Sequence, residues 1–388
     1  MAQFSRRMVL TGGVAMTAAV QAAGSAVSAS SDSEAEKSIG DVLTDALAKH
    51  ACPAVSLAVY RAGARIYSRG FGLSNIETQS PASARTVFRI GSLTKQFTAA
   101  AIIKLASLSR LDLKASAQTY LPALSSLKPF TILELLNHTA GLHSDESDDA
   151  TPAPAILKTQ VQLAEDIARQ RKPFDFDPGT AWLYSNANYI VLGAIIERVT
   201  GKALARTLAD LVFAPLNLKS AAMDTSADVV IGRASGYSPT GNTKNPYNNA
   251  PYIEVSQAGG AGAMRSNVID LCRWHEALLG ASLFDQAHVA LMLTPGRLRD
   301  GRLSSTHRFS AEDAHYGDTE YAAGMLVSGP SDPNPSILHY GAINGFAAVL
   351  QTYREKRLTF AALCNADIGP DTPFRGIRSV LTSRYLVS

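Results

Sequence analysis

The segment FRIGSLTKQFTAAAIIKLASL, which begins at Phe88, constrains the fold more than any other part of the chain. From Ser92 to about Ser109 the sequence predicts one helix that is apolar on almost every side, and such a helix is normally buried. It nevertheless carries Lys95, whose ammonium group loses hydration free energy when it is buried. Because residues i and i+3 share one face of a helix, Lys95 is expected to stand beside Ser92.

A lysine beside a serine has a chemical use. The serine hydroxyl is a poor nucleophile until a base takes its proton, and an amine can do so only when it is neutral. A lysine pKa must fall by about three units from its reference value near 10.4 for this to happen at neutral pH. Burial and the positive end of a helix dipole both act in that direction. The pattern predicts Ser92 as nucleophile and Lys95 as its base, and the alternative is a helix start whose lysine reaches solvent.

Two other motifs extend the candidate site. Tyr184-Ser185-Asn186 offers a phenol that can pass on protons and an amide that can hydrogen-bond a substrate carbonyl. His339-Tyr340-Gly341 lies at the end of a predicted strand. The structural alternatives are a helix-capping turn for Tyr184 and Asn186, and a strand-end histidine with satisfied hydrogen bonds for His339.

Each of the three motifs occurs twice in the chain, the second copies being Ser125 to Lys128, Tyr247-Asn248-Asn249 and His315-Tyr316-Gly317. The second serine-lysine pair is followed by Pro129 and leads no long helix, and Tyr247 lies in a turn-rich stretch. Any one motif can arise by chance in a chain of this length. The order SxxK, YxN, HxG, with each motif in a suitable local context, is far more specific.

With these motifs the chain resembles the serine β-lactamase and penicillin-binding protein superfamily, in particular class C β-lactamases, D-Ala-D-Ala carboxypeptidases and related esterases. The likeness runs from about Asp41 to Leu386 and includes LLNHTAGLH, PGTAWLYSNANYIVLGAIIERVTGK, AGGAGAMRSNVIDLCRW and HYGAINGFAAVL. The resemblance implies a catalytic Ser92, a Lys95 that shares proton transfer with Tyr184, and an Asn186 that positions the substrate. Within LLNHTAGLH, His138 and His143 are expected to shape a loop.

The resemblance also assigns roles to the third motif. His339 and Gly341 are expected to lie on an edge strand beside the substrate pocket, where Gly341 lets the strand approach the acyl group. The oxyanion hole would be formed by the backbone N–H groups of Ser92 and Ala342. The resemblance implies no metal and no other cofactor.

One departure from the family pattern bears on the substrate. Many β-lactamases carry Lys-Thr-Gly where this chain has His339-Tyr340-Gly341. That lysine is a permanent cation that helps to hold the β-lactam carboxylate, whereas a histidine with an ordinary pKa near 6.5 is mostly neutral at pH 7.5. Hydrolysis of a D-Ala-D-Ala-like peptide, another amide or an ester is therefore expected. A true β-lactamase and a non-catalytic penicillin-binding sensor are the alternatives.

The two ends of the chain supply predicted strands and the middle supplies helices. This pattern predicts an α/β fold in which an antiparallel sheet is flanked by helices from both chain ends, with an inserted all-helical lobe. The α/β lobe is expected at about 38–109 and 255–388, and the helical lobe at about 110–254. Strands are predicted at 55–60, 65–71, 321–327, 336–340, 346–353 and 358–364, and the turn-rich GYSPTGNTKNPYNNAPY is predicted to be a surface loop.

Residues 1–29 are predicted to be a twin-arginine signal peptide, with Arg6-Arg7, an apolar stretch and a cleavage site after Ala29. The mature protein is then expected in the periplasm or outside the cell, with no stable membrane span; an uncleaved anchor is the alternative. Three cysteines, Cys52, Cys272 and Cys364, are expected to be buried free thiols.

Composition excludes several function classes. The net charge is only +3, and no basic stripe is interleaved with aromatic residues, so a nucleic-acid partner is not expected. The chain has no HExxH, Walker or GxGxxG motif, which disfavours metal hydrolysis and nucleotide chemistry. A small-molecule or peptide substrate remains, and the oligomeric state is left open.

Overall fold

A computed structural model describes residues 37–49, 51–144, 157–329, 331–369 and 373–386. The predicted signal peptide therefore lies outside the described residues. Within these ranges, no helix has the length and apolar character needed to cross a membrane.

The strands, numbered in chain order, are β1 Ala54–Arg61, β2 Ala64–Asn75, β3 Ser80–Pro81, β4 Phe88–Arg89, β5 Ala222–Met223, β6 Tyr237–Pro239, β7 Tyr247–Asn249, β8 Met264–Ser266, β9 Glu320–Ala322, β10 Met325–Val327, β11 Ser336–Ile343, β12 Phe346–Tyr353 and β13 Leu358–Cys364. The α-helices are α1 (37–48), α2 Thr94–Ser107, α3 Ala117–Tyr120, α4 Ile132–Leu136, α5 Gln160–Arg169, α6 Asn186–Thr200, α7 Leu204–Leu208, α8 Gly259–Gly262, α9 Val268–Leu279, α10 Gln286–Met292 and α11 Phe374–Leu381.

An eight-stranded sheet in the order β3-β2-β1-β13-β12-β11-β10-β9 forms the centre of the fold, and all its neighbouring strands are antiparallel. The first long strand pairs with the last one, from Val55 opposite Cys364 to Arg61 opposite Leu358. This pairing joins the two ends of the chain in one sheet. The predicted α/β fold with an antiparallel sheet is thereby confirmed.

The sheet is covered on both faces, which explains why its central strands are continuous apolar runs. Every residue of β12 and β13 is buried. Ala361 and Leu363 of β13 belong to the core that contains α2, α6 and α9, whereas Phe360 and Ala362 belong to the core on the other face with α1 and α11. Helices from both chain ends therefore flank the sheet.

The middle of the chain is less purely helical than predicted. It contains α3 to α7, but β5 also pairs with β8 in a small sheet of the order β4-β8-β5. In addition, the predicted surface loop forms a hairpin in which Tyr237 lies opposite Asn249. The expectation of an all-helical insertion was wrong in these two places, because a strand of two or three residues is too short to show the alternation of apolar and polar residues that predicts a strand.

The predicted strand 321–327 is two strands, β9 and β10, joined by a tight turn. Gly324 in this turn has φ +82°. A Cβ atom on Gly324 would lie 2.8 Å from the carbonyl oxygen of Lys95, so only glycine allows the turn to pack against the start of α2. The contact places the β9–β10 hairpin next to the buried helix.

Helix α2 is buried on all sides for most of its length, as its composition predicts. The side-chain oxygen of its buried polar residue Gln96 accepts a hydrogen bond from Trp274 Nε1 at 2.8 Å and lies 2.9 Å from His275 Nε2. The other ring nitrogen of His275, Nδ1, lies 2.8 Å from Thr352 Oγ1. These contacts connect α2, α9 and β12. Burial lowers the pKa of His275 to about 3, so the imidazole is neutral at physiological pH.

The three cysteines are buried and form no disulfide, as predicted. Burial raises the pKa of the Cys272 and Cys364 thiols, which keeps both protonated.

Acidification is expected to destabilise the fold through His275. The folded pKa of His275 is about 3, below its ordinary value of 6.5, so between these values the unfolded chain binds a proton that the folded chain does not. Stability is unaffected above pH 7 and is lost as pH falls. At pH 5.0 this histidine alone would reduce the free energy of unfolding by about 2 kcal/mol. Urea unfolding of wild type and His275→Gln at pH 7.5 and 5.0 measures it, the variant losing less stability on acidification.

The exposed His307 provides the control. His307→Gln should keep the wild-type pH dependence. If His275→Gln lost as much stability between pH 7.5 and 5.0 as wild type, the buried neutral imidazole would not be the cause.

Candidate active site

Ser92 lies on a 3₁₀ turn, Gly91–Leu93, that leads directly into α2. The predicted helix therefore begins two residues later than Ser92, at Thr94. The Thr94 hydroxyl donates to Gly91 O at 2.7 Å and accepts from the backbone N–H of Met264 at 3.1 Å. These bonds fix the turn and leave Ser92 partly exposed at the N-terminal end of the helix.

Lys95 is fully buried, and its amine lies next to the serine. Its Nζ is 3.0 Å from Ser92 Oγ, 2.7 Å from Asn186 Oδ1 and 2.9 Å from the carbonyl oxygen of Ala261. Nζ also lies 4.8 Å from the centre of the Tyr184 ring. A buried amine needs such partners, because it has lost those that water would provide. The structure thus brings together residues that two separate motifs proposed.

Tyr184 and Asn186 are positioned by the start of α6. Asn186 is the first residue of this helix, which ends at Thr200 before Gly201, a left-handed residue with φ +68°. Tyr184 precedes the helix and lines the same cavity as Ser92.

His138 supports this arrangement in a way the sequence did not indicate. The ring is completely buried, 4.5 Å from the Tyr184 ring and 4.5 Å from the Tyr321 ring between centres. Its Nδ1 accepts hydrogen bonds from the backbone N–H of Ser185 at 3.2 Å and from Asn188 Nδ2 at 3.0 Å. Burial, with a smaller effect of the Lys95 charge, holds the pKa of His138 well below its usual range. His138 is thus a neutral positioning residue for the Tyr184–Asn186 turn.

His339 lies on β11 and is also buried. Its Nδ1–H donates to the backbone oxygen of Tyr340 at 2.5 Å, so Nε2 is the acceptor and receives the Tyr321 hydroxyl at 3.2 Å. Burial first, and then the nearby Lys95 charge, lower the pKa of His339 to about 3. The ring is therefore neutral at physiological pH, and both nitrogens are engaged within the protein.

None of the sequence motifs indicates Tyr321. This residue lies in β9, where a tyrosine among apolar residues is typical of a core position. The Tyr321 hydroxyl gains its role from the hydrogen bond to His339, a residue on a different strand that no local sequence pattern links to it. Burial and the neighbouring tyrosines raise the pKa of Tyr321 well above its usual value, so the hydroxyl remains a donor.

Gly341 allows β11 to lie against the segment that leads to Ser92. A Cβ atom on Gly341 would be 2.0 Å from the carbonyl oxygen of Ile90, which no side chain can tolerate. Gly341 therefore lets strand β11 approach the backbone of Ile90. The next residue, Ala342, lies beside Gly91, where an added Cβ would be 2.5 Å from Ala342 O. The two residues predicted to form the oxyanion hole, Ser92 and Ala342, consequently lie side by side; their role stays a prediction.

Two cavities meet at Ser92 and Ala342. One, of about 390 Å³, is lined mainly by aromatic and apolar side chains, including Tyr184, Tyr316, Leu326, Leu338, His339 and Phe374. The other, of about 420 Å³, is lined by Asn186, Ile190, Ile253, Gln257 and Asn344, among others. Among the described residues, no arginine or lysine lines either cavity.

Two of the three second motif copies lie outside the site, and the third lines one of its cavities. Lys128 forms an exposed ion pair with Asp177, and Tyr247 begins β7, so neither copy belongs to the site. His315 and Tyr316, however, line the smaller cavity beside His339. In the described ranges of the chain, no three His, Cys, Asp or Glu side chains are grouped to hold a metal ion.

The sequence and the fold of this chain are similar to those of several known proteins. A family model described as Beta-lactamase matches residues 39–382. The chain is 28% identical over 275 residues to Protein flp of Staphylococcus aureus (strain MW2), covering 68% of this chain and 54% of that protein. It is 23% identical over 312 residues to Penicillin-binding protein 4* of Bacillus subtilis (strain 168), covering 78% of this chain and 66% of that protein. The chain thus spans little more than half the length of several curated relatives that it matches.

A crystal structure of a D-stereospecific amidohydrolase from Streptomyces sp. has a similar fold. The TM-score is 0.72 at 24% sequence identity, and the match covers 90% of this chain and 98% of that one. At this identity the likeness establishes the fold alone.

The contact between Gly341 and Ile90 can be tested by Gly341→Ala. The added methyl group should force β11 away from the Ser92 turn and reduce the free energy of unfolding by about 1–3 kcal/mol. It should also slow the reaction of Ser92 with a fluorophosphonate probe, followed by intact mass. Gly40→Ala in α1 is the matched control, because a Cβ there meets nothing within 4 Å. Equal reactivity of Ser92 in both variants would contradict the contact's role.

Proposed function

The chain belongs to the beta-lactamase family, and from that premise we propose that it is a serine hydrolase that forms an acyl-enzyme on Ser92. The observation that carries the proposal is the fully buried Lys95, whose Nζ lies 3.0 Å from Ser92 Oγ. The proposed substrates are esters and amides. The parts of the substrate that occupy the two cavities on either side of the reacting carbonyl carry no negative charge.

Acylation would begin with attack of Ser92 Oγ on the substrate carbonyl carbon. The serine proton passes to Lys95 Nζ, which accepts it as the neutral amine. The carbonyl oxygen becomes an oxyanion, which the backbone N–H groups of Ser92 and Ala342 would stabilise. As the tetrahedral intermediate collapses, the bond to the leaving group breaks, and the alcohol or amine takes the proton through Lys95 and Tyr184.

In deacylation, water would be the nucleophile and Ser92 Oγ would be the leaving group. A water molecule attacks the ester carbon of the acyl-enzyme and gives its proton to the Lys95–Tyr184 pair. The bond between the acyl carbon and Ser92 Oγ then breaks, Oγ regains a proton, and the carboxylic acid leaves. Asn186, 2.7 Å from Lys95 Nζ, is in a position to keep the amine oriented in both half-reactions.

The charge of the site supports neutral substrates. His339 stands where many β-lactamases have a lysine, and its pKa of about 3 leaves it uncharged at neutral pH. Both of its nitrogens already have partners within the protein. A carboxylate in the smaller cavity would thus be desolvated without a counter-charge from the residues described there. The lack of a counter-charge favours esters and amides over β-lactams and over peptides that end in D-Ala.

The nucleophile and base are tested with Ser92→Ala and Lys95→Met. Each variant should lower kcat/KM for p-nitrophenyl butyrate by at least about 10³-fold, because it removes the nucleophile or the proton acceptor. Far-UV circular dichroism checks that both fold. Ser125→Ala, in the second SxxK copy, should retain wild-type activity. Hydrolysis by Ser92→Ala above a few per cent of the wild-type rate would refute the assignment.

The charge preference is tested with two esters of equal chain length, p-nitrophenyl butyrate and the mono-p-nitrophenyl ester of succinate. The carboxylate of the second should lower kcat/KM by about tenfold or more, because no arginine or lysine of the described residues lines either cavity to offset its desolvation. A chromogenic cephalosporin and a D-Ala-D-Ala peptide extend the comparison. Faster turnover of the cephalosporin than of the ester would identify a β-lactamase, and faster release of D-Ala would identify a carboxypeptidase.

A further inference from the structure

The loop between β5 and β6 exposes two aliphatic side chains. Val229 is 98% exposed and Ile231 is 94% exposed, and no other large apolar side chain of the described residues is as exposed as these. Single exposed apolar residues are common on soluble proteins, but two at the tip of one projection are not explained by packing.

The loop is held firmly at its base by Asp224. This buried carboxylate accepts hydrogen bonds from three guanidinium groups, those of Arg89 at 2.9 Å, Arg233 at 2.6 Å and Arg265 at 3.0 Å. Closer to the tip, the Thr225 hydroxyl accepts the backbone N–H groups of Ala227 and Asp228, each at 3.1 Å. On the returning side, the N–H of Val87 donates to Gly232 O at 2.9 Å. The fold thus presents Val229 and Ile231 on an ordered projection.

Two adjoining clefts next to this projection are strongly cationic. Their volumes are about 550 and 460 Å³, and they share Arg65, Arg85 and Ile269. Ile231 lines the larger cleft. Across both clefts the lining includes six cationic side chains and one carboxylate, the cations being Arg65, Arg69, Arg85, Lys219, Arg265 and Arg273 and the carboxylate Asp270.

Much of this positive charge is not neutralised by the described part of the protein. Asp270 is buried and accepts hydrogen bonds from the Ser220 backbone and hydroxyl. No carboxylate within the described ranges lies at ion-pair distance from Arg65, Arg85 or Lys219. Because the whole chain has a net charge of only +3, the cationic clefts are a local concentration of charge.

We propose that this basic loop surface, made of Val229, Ile231, Arg65, Arg85 and Lys219, docks the protein onto a lipid membrane with anionic headgroups. Val229 and Ile231 would enter the boundary between headgroups and acyl chains, and the three cations would bind lipid phosphates. The surface shares no residue with the two cavities at Ser92, so it is separate from the proposed active site.

Other occupants fit the observations less well. A second copy of the chain docked symmetrically on the same patch would bring its cations against their own equivalents, which is repulsive. A soluble polyanion would satisfy the charges but would leave Val229 and Ile231 in water. A nucleic-acid site would need aromatic side chains beside the charges, on which bases could stack. Among the described residues, Tyr67 is the one aromatic residue that lines the two clefts.

Insertion of the tip can be measured locally in the full chain. The three native cysteines are buried, so Ile231→Cys provides a selective site for an environment-sensitive dye. We expect a blue shift and an intensity increase with vesicles of phosphatidylcholine containing 30% phosphatidylglycerol, little change with phosphatidylcholine alone, and reversal in 0.5 M NaCl. The same dye on Leu108→Cys, at a partly exposed position elsewhere, is the control and should not respond.

The cations are tested by the triple variant Arg65→Gln, Arg85→Gln, Lys219→Gln in the Ile231→Cys background. The lipid concentration that gives half the dye response should rise at least tenfold. The matched control, Lys114→Gln, Lys244→Gln, Lys356→Gln, removes as much charge from exposed sites elsewhere and should stay within twofold. Turnover of p-nitrophenyl butyrate should be unchanged in both, which separates docking from hydrolysis.

Several outcomes would overturn the proposal. These are no dye response at position 231, an equal response in the two triple variants, and a response to soluble polyphosphate as strong as that to vesicles. In the absence of lipid, the dye response could instead rise with protein concentration while sedimentation shows a dimer. That result would assign the surface to self-association.

Discussion

The site depends on one buried amine. Lys95 Nζ makes hydrogen bonds to Ser92, Asn186 and the Ala261 backbone, which belong to three different parts of the chain. A buried amine that lost any of these partners would be poorly solvated, so α2, α6 and α8 must stay in register around it. The same amine is the group proposed to take the serine proton. Stability and chemistry therefore place the same demand on this part of the fold.

Close backbone contacts bring the remaining residues to that amine. The β9–β10 turn packs against the start of α2 at Gly324, and β11 packs against Ile90 at Gly341. These contacts leave no room for side chains, and they deliver Tyr321, His339 and the backbone of Ala342 to the serine. The antiparallel sheet supplies the rigidity, because the first and last long strands pair at its centre and both of its faces are covered.

Two neutral histidines complete the electrostatics of the site. Burial lowers the pKa of both His138 and His339, and the charge of Lys95 lowers each further. Each ring is held by hydrogen bonds that suit the uncharged form, from Ser185 to His138 and from Tyr321 to His339. These two histidines therefore add aromatic walls to the site without adding positive charge. This is the physical basis of the proposed preference for uncharged groups in the cavity beside His339.

The sequence by itself determined the elements with strong local patterns. The strands 346–353 and 358–364 and the burial of α2 were predicted, since continuous apolar runs are local signals. Motif spacing also selected Ser92, Lys95, Tyr184 and Asn186, which the fold assembles around one amine. Short strands such as β5 and the split of 321–327 at Gly324 could not be read, because they arise from contacts with distant backbone. Only the tertiary structure decided that Tyr321 donates to His339 and that His138 holds the Tyr184 turn, since burial and partner, not residue type, set the protonation and role of a polar side chain.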